Sequence, residues 1–164
     1  MKKLFAFAFL LAGFMSFQVV AQDDSEEVTE DEMKKYATME VMVAAFTQEK
    51  QEKLVEMIRE NEVLGGGARY NEIKGAWGKD DKMAEINVTE EEKEAYSEIQ
   101  SYIDSIGEEV KEYMIELIKD PEVLGAATYN KVKRAMADPA VKSQIDSMIA
   151  DLKTQGSSDA DTER

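Results

Sequence analysis

Glu49, Glu52 and Glu56 stand at helical spacing, and Glu109, Glu112 and Glu116 repeat them sixty residues later. Carboxylates placed this way could hold a hard cation, or could work as a general acid and base. The same spacing, interleaved with Lys50, Lys53 and Lys111, also describes a solvated helix face laced with opposite charges. The sequence favours the solvated face. The chain has no His and no Cys. It therefore has no ligands for a standard zinc site, no thiol nucleophile and no His-based triad. The helical di-iron site, which needs Glu-x-x-His, is closed for the same reason. Asp80-Asp81 is not followed by the alternating oxygen ligands and glycine of a calcium loop.

Three further groups invite a functional reading and are better explained by structure. Tyr70-Asn71 and Tyr129-Asn130 recur as a pair. A repeated tyrosine is a packing anchor that buries a ring and bonds through its hydroxyl, and asparagine can satisfy helix-end groups. Eight methionines follow residue 21, with Met39 and Met42 the closest pair. Most fall on apolar faces, so core filling outranks a copper(I) site, with an adaptable groove second. Gly65-Gly66-Gly67 has no strand before it and no Gly-Lys-Ser/Thr after it, so it is not a phosphate cradle. No catalytic, cofactor-binding or metal-binding residue is assigned, and no cofactor is expected.

The elements that position these residues are written twice. Residues 28–65 return as 88–125: Val28-Thr29-Glu30-Asp31-Glu32 as Val88-Thr89-Glu90-Glu91-Glu92, and Glu62-Val63-Leu64-Gly65 as Glu122-Val123-Leu124-Gly125. Thr29-x-x-Glu32 and Thr89-x-x-Glu92 are both capping boxes. In each, the threonine oxygen takes the amide of the third helical residue and the glutamate reaches back to the cap amide. Val28 and Met33 add a hydrophobic staple to the first box, whereas Lys93 replaces that methionine in the second. Each box opens a helix of about 30 residues, ~45 Å long. Tyr96, Ile99, Ile103, Ile106, Val110, Tyr113 and Leu117 form the seam of the second. The first keeps Tyr36, Met39, Val43, Phe46 and Met57, but Lys50 and Lys53 make its middle more polar. The glycine triplet is expected to end the first helix, and Asp120-Pro121 to stop the second earlier. Shorter arms follow, with Tyr70, Ile73 and Trp77 on one face and Tyr129, Val132 and Met136 on its counterpart. Asp138-Pro139 opens a last helix striped by Val141, Ile145, Met148 and Leu152.

Residues 1–21 read as a cleavable signal peptide: Lys2 and Lys3, an apolar run over 4–15, and Val19-Val20-Ala21 before the cut. That run is shorter than the ~20 residues of a membrane span, and no cysteine follows it to be acylated. Residues 22–28 read as an acidic flexible lead-in and 154–164 as a disordered tail. The net charge of −15 becomes −17 once the two leader lysines are removed. Such a chain repels nucleic acid and anionic headgroups. The expected fold is all-α: one domain over 29–153, made of two duplicated helical hairpins (29–87 and 88–153) packed as an antiparallel four-helix-like bundle.

The Thr-x-x-Glu start, the long amphipathic helix, Arg69-Tyr70-Asn71-Glu72-Ile73, Tyr129-Asn130-Lys131-Val132 and Ala137-Asp138-Pro139 together resemble the domain-of-unknown-function family 4168. The resemblance covers most of 28–152. The first copy departs from it, with Lys79-Asp80-Asp81 where an Asp-Pro is expected. The resemblance implies a secreted or membrane-associated bacterial protein, and it implies no activity. The leader, ending in Ala21-Gln22, resembles those of the Bacteroidetes, which implies a diderm envelope and a mature chain expected in the periplasm or outside the cell. The expected function is that of a non-enzymatic envelope or secreted protein, acting on an unknown protein or envelope component through its helical surface. The alternatives are a periplasmic holdase with a Met-rich interior and a carboxylate-based hydrolase. If the caps are equivalent, Thr29→Ala or Thr89→Ala costs ~1 kcal/mol in urea unfolding, slightly less at Thr29 because of the staple. The two effects add within ~0.5 kcal/mol, and no measurable cost at either site would place the helix starts elsewhere.

Overall fold

A computed structural model describes residues 27–160. The expected signal peptide at 1–21, most of the expected acidic lead-in and residues 161–164 lie outside the described residues. Among the described residues there are six helices and no strand: α1 (Glu30–Glu60), α2 (Gly67–Ala76), α3 (Asp80–Glu85), α4 (Glu90–Lys119), α5 (Ala126–Ala135) and α6 (Pro139–Ala160). The fold is all-α.

Both long helices start at their capping boxes. Thr29 Oγ1 accepts the Glu32 amide at 3.2 Å while Glu32 Oε2 accepts the Thr29 amide at 2.9 Å. The same bonds at Thr89 and Glu92 measure 3.1 and 2.9 Å. The helices run antiparallel. Phe46 stacks on Tyr113 with centroids 4.4 Å apart, and four residues further along α1 Lys50 meets Glu109, four residues back along α4. The expected seam of α4 faces inward along its whole length, with Tyr96, Ile99, Ile106 and Leu117 buried.

The core consists of two clusters, one at each end of this pair. The first joins Met33, Tyr36 and Met39 of α1 to Leu117, Leu124, Val132 and Ile145 from the second half of the chain. The other joins Leu64, Tyr70 and Ile73 from the first half to Ala95, Tyr96 and Ile99 of α4. Each arm is thus anchored on the long helix of the other half. Tyr129 stacks on Tyr36 at 5.9 Å, and Tyr70 meets Tyr96 at 5.4 Å. Each arm also touches its own long helix, α2 against α1 and α5 against α4, so the two hairpins expected from the duplication share their core. Because α1 and α4 are antiparallel, the arm that leaves the end of one arrives beside the start of the other.

Two boundaries also differ from expectation. α1 stops at Glu60 rather than at the glycine triplet. Asn61 turns the chain, its side-chain oxygen accepting the Leu64 amide at 2.9 Å, and Leu64 is thereby fully buried. That local bond competes with another helical turn. Gly65 and Gly66, at φ +56° and +84°, then supply the left-handed backbone that leads into α2. α4 ends at Lys119, before Asp120-Pro121, as the sequence indicates. At the other end, α6 runs to Ala160 instead of giving way to an irregular tail at Thr154, whose hydroxyl bonds the Ala150 carbonyl and so keeps to the helical spiral.

The halves differ most where the last helix falls. α6 has 22 residues and lies along α1, whereas its counterpart α3 has six and buries none. Since each cluster draws on both halves, a fragment of residues 23–87 contains neither one whole. It should be unfolded or self-associated by circular dichroism and ultracentrifugation. Cooperative unfolding of a monomeric fragment would contradict this arrangement.

Candidate functional site

The chemically richest places are two ionic clasps and the polar middle of the long-helix interface. Each clasp is built on a capping box. Glu92 closes the box at the start of α4, and both of its oxygens also meet Arg69 of α2: Nε–Oε1 at 2.6 Å and Nη2–Oε2 at 2.8 Å. Arg69 further donates to Glu72 at 3.0 Å and to the Ile86 carbonyl at 3.1 Å, which ties α2 to the connection that enters α4. At the other end Glu32 closes the α1 box, and Lys131 of α5 reaches both of its oxygens at 3.0 and 2.9 Å.

The electrostatics follow from this geometry. Arg69 holds the Glu92 carboxyl down at about 2, with the Thr89 amide adding to the effect. The Thr29 amide, and then Lys131, lower Glu32. In the middle of the interface Lys50 Nζ lies 2.6 Å from Glu109 Oε2, and the Ser105 hydroxyl is 2.8 Å from Glu109 Oε1. The lysine lowers the Glu109 carboxyl and the carboxylate raises the lysine. Tyr102 donates to the Lys50 carbonyl at 3.3 Å, and the Lys53 ammonium sits 5.5 Å above the Tyr102 ring. The Tyr36 phenol is pushed well above its usual range by burial, and further by Glu40, to which it donates at 2.7 Å.

These groups hold and neutralise charge. A general acid needs a carboxyl whose pKa is raised. Glu32, Glu92 and Glu109 move in the opposite direction, each beside a cation. Among the described residues no cluster of three or more carboxylates is arranged to hold a metal ion.

The two glutamate rows separate in the structure. Glu49, Glu52, Glu56, Glu112 and Glu116 are exposed, as a solvated face requires, while Glu109 turns inward to Lys50 across the interface. Tyr70 and Tyr129 are the packing anchors their repetition suggests. Asn71 bonds the Gly67 carbonyl within α2 at 2.7 Å and caps no helix end, and Asn130 is exposed. Met39 is buried and Met42 half-buried beside the same cluster.

Sequence reasoning missed Arg69 and Lys131 as partners of the caps. The sequence places a cation within two residues of each arm's tyrosine and a tyrosine four residues beyond each capping glutamate, and in the structure those tyrosines meet. No family model, curated protein or solved structure matches the chain.

Glu92 supplies a pH dependence of known sign. Its folded pKa of about 2 lies below the ordinary 4.5, so its stabilisation is complete above pH 4.5 and is lost as pH falls towards 2. The urea midpoint should drop across that window. Arg69→Met should lower stability at pH 7 by about 1–2 kcal/mol and flatten the drop, because the carboxyl returns towards its ordinary range. An equally steep acid drop in the variant would show that the clasp is not its source.

Proposed function

We propose that this chain is a non-enzymatic helical protein, exported by its N-terminal leader to the periplasm or beyond, that works by contact between its surface and a protein or envelope component. One observation carries the reading. The two long helices are covered unequally: α1 packs against α4, α5 and α6, while α4 leaves an outer row of carboxylates in water. Glu90, Glu91, Glu94, Glu98, Asp104 and Glu108 are all exposed along it. Met33 and Ala37 on α1 are buried, but their counterparts Lys93 and Ser97 are half-buried and exposed. A row of this kind repels nucleic acid and anionic headgroups and favours a cationic partner. Carboxylates already neutralised by Arg69, Lys131 and Lys50 suit a scaffold better than an acid-base catalyst.

A second reading, a holdase-type chaperone, is favoured by the placing of the methionines. Met33, Met39, Met42, Met114, Met136 and Met148 all belong to one end of the molecule, whereas the other cluster has Met57. Such side chains make an adaptable apolar surface. It is an inward surface as the chain stands, since among the described residues the large apolar side chains in the open are Val55, Val63 and Trp77.

The tagged mature protein should capture a partner from its own envelope fraction at low salt and release it at high salt. Glu94→Lys with Glu98→Lys should abolish capture while leaving the fold intact by circular dichroism. Undiminished capture by that variant would overturn the contact surface assigned to α4. Suppression of aggregation of a denatured test protein at stoichiometric ratio would establish the holdase reading, and failure would remove it.

A further inference from the structure

Asn87-Val88-Thr89, in the connection from α3 to α4, has the Asn-x-Ser/Thr pattern of an N-glycosylation acceptor, with no proline between. Among Asn61, Asn71, Asn87 and Asn130, only Asn87 stands two residues before a hydroxyl side chain. We propose that Asn87 is a glycan attachment site, its carboxamide taking a sugar chain from a polyprenyl-diphosphate donor. The proposal rests on the reading of this protein as exported, because the pattern is an acceptor in secreted chains.

Three residues match readily by chance, and what sets this match apart is how the segment is held. Exposure alternates along it: Glu85, Asn87 and Thr89 are exposed, while Ile86 and Val88 are half-buried against the cluster of Leu64, Tyr70 and Ile73. The two residues a transferase reads are thus both open to solvent, and the one between them is committed to the core. Arg69 fixes the backbone from the protein side, donating to the Ile86 carbonyl at 3.1 Å and the Asn87 carbonyl at 3.4 Å. The Asn87 carboxamide is held only loosely, with its nitrogen 3.5 Å from the Glu85 carbonyl, longer than an ordinary hydrogen bond. The neighbouring α3 buries no residue.

The fold itself does not call for asparagine here. Asn87 lies at φ +52°, and the other left-handed positions among the described residues, Gly65, Gly66, Gly78 and Gly125, are all glycine. Glycine meets that backbone demand at no steric cost, whereas asparagine adds an exposed carboxamide. Nor does the duplication carry it, since Glu27 stands at the matching place before the first capping box. In the transfer the carboxamide nitrogen of Asn87 attacks the anomeric carbon of the donor sugar. A C–N bond forms as the C–O bond to the diphosphate breaks, and the polyprenyl diphosphate leaves with the electron pair. The proton lost from nitrogen passes to a base of the transferase, and nothing is oxidised or reduced.

The experiment is mass spectrometry of the whole chain, and of its proteolytic peptides, purified from the cells that make it. The peptide containing Asn87 should carry added whole sugar units. Asn87→Gln should abolish the gain, and so should Asn87→Gly, which keeps the left-handed turn and serves if glutamine disturbs it. Thr89→Ser should retain the sugar. Thr89→Asp should lose it while α4 still starts in place by circular dichroism, because aspartate caps a helix but has no hydroxyl. A chain cut after Ala21 with no added mass would overturn the proposal and leave export standing. A chain that keeps its leader and gains no mass would remove both. Sugar that persists in Asn87→Gln or in Thr89→Asp would overturn the assignment of this site.

Discussion

The antiparallel pairing of α1 with α4 is the constraint from which the rest of the molecule follows. Neither helix can bury its apolar stripe alone, and pairing them leaves a bare end of stripe at each pole. The chain must leave one helix where the other begins, so the arm that follows a long helix is delivered to the start of its neighbour. The tyrosine contacts record this: Tyr129 meets Tyr36, and Tyr70 meets Tyr96. The cap glutamates lie at the same two poles. An arm that brings a cation beside its tyrosine therefore finds a carboxylate already held in place by the cap, and much of the ordering entropy of that partner has been met by the helix itself.

Between the poles the interface changes character. Lys50, Glu109 and Ser105 face each other where an unbroken coiled seam would have apolar side chains, and Phe46 and Tyr113 pack against that polar layer. A charged pair there adds little net stability over a hydrophobic one, but a slip by one turn would strand both charges. The clusters at the poles supply the adhesion, and the middle fixes the register.

Much of this was legible in the sequence. Thr29 and Thr89 marked both helix starts, the three-and-four spacing from Tyr96 to Leu117 gave the buried seam, and Asp138-Pro139 opened the last helix as expected. These are local signals, decided by a few neighbouring residues. What could not be read depended on long-range geometry. The destination of each arm follows from the antiparallel sense of two helices, and the pairings of Arg69 and Lys131 follow from that destination. The early stop of α1 was a contest between two local signals, glycine and Asn61, settled by the burial of Leu64. The placing of α6 was foreshadowed by the replacement of Met33 and Ala37 with Lys93 and Ser97, a contrast that gains meaning only once the two halves are compared position by position.

The two clusters differ in how far apart along the chain their members lie. The one built on Leu64, Tyr70, Ile73, Tyr96 and Ile99 draws its buried residues from a stretch of fewer than forty positions. The one built on Met33, Tyr36, Met39, Val132 and Ile145 joins segments about a hundred positions apart. Closing the longer loop costs more entropy before any contact repays it. The near-local end can therefore condense as a nucleus on its own, while the methionine end waits for both extremities of the chain. During synthesis, when the amino terminus emerges first, the starting third of α1 lacks Val132 and Ile145 until the last fifth of the protein has followed it. For that interval the apolar face of α1 is open to whatever else is present.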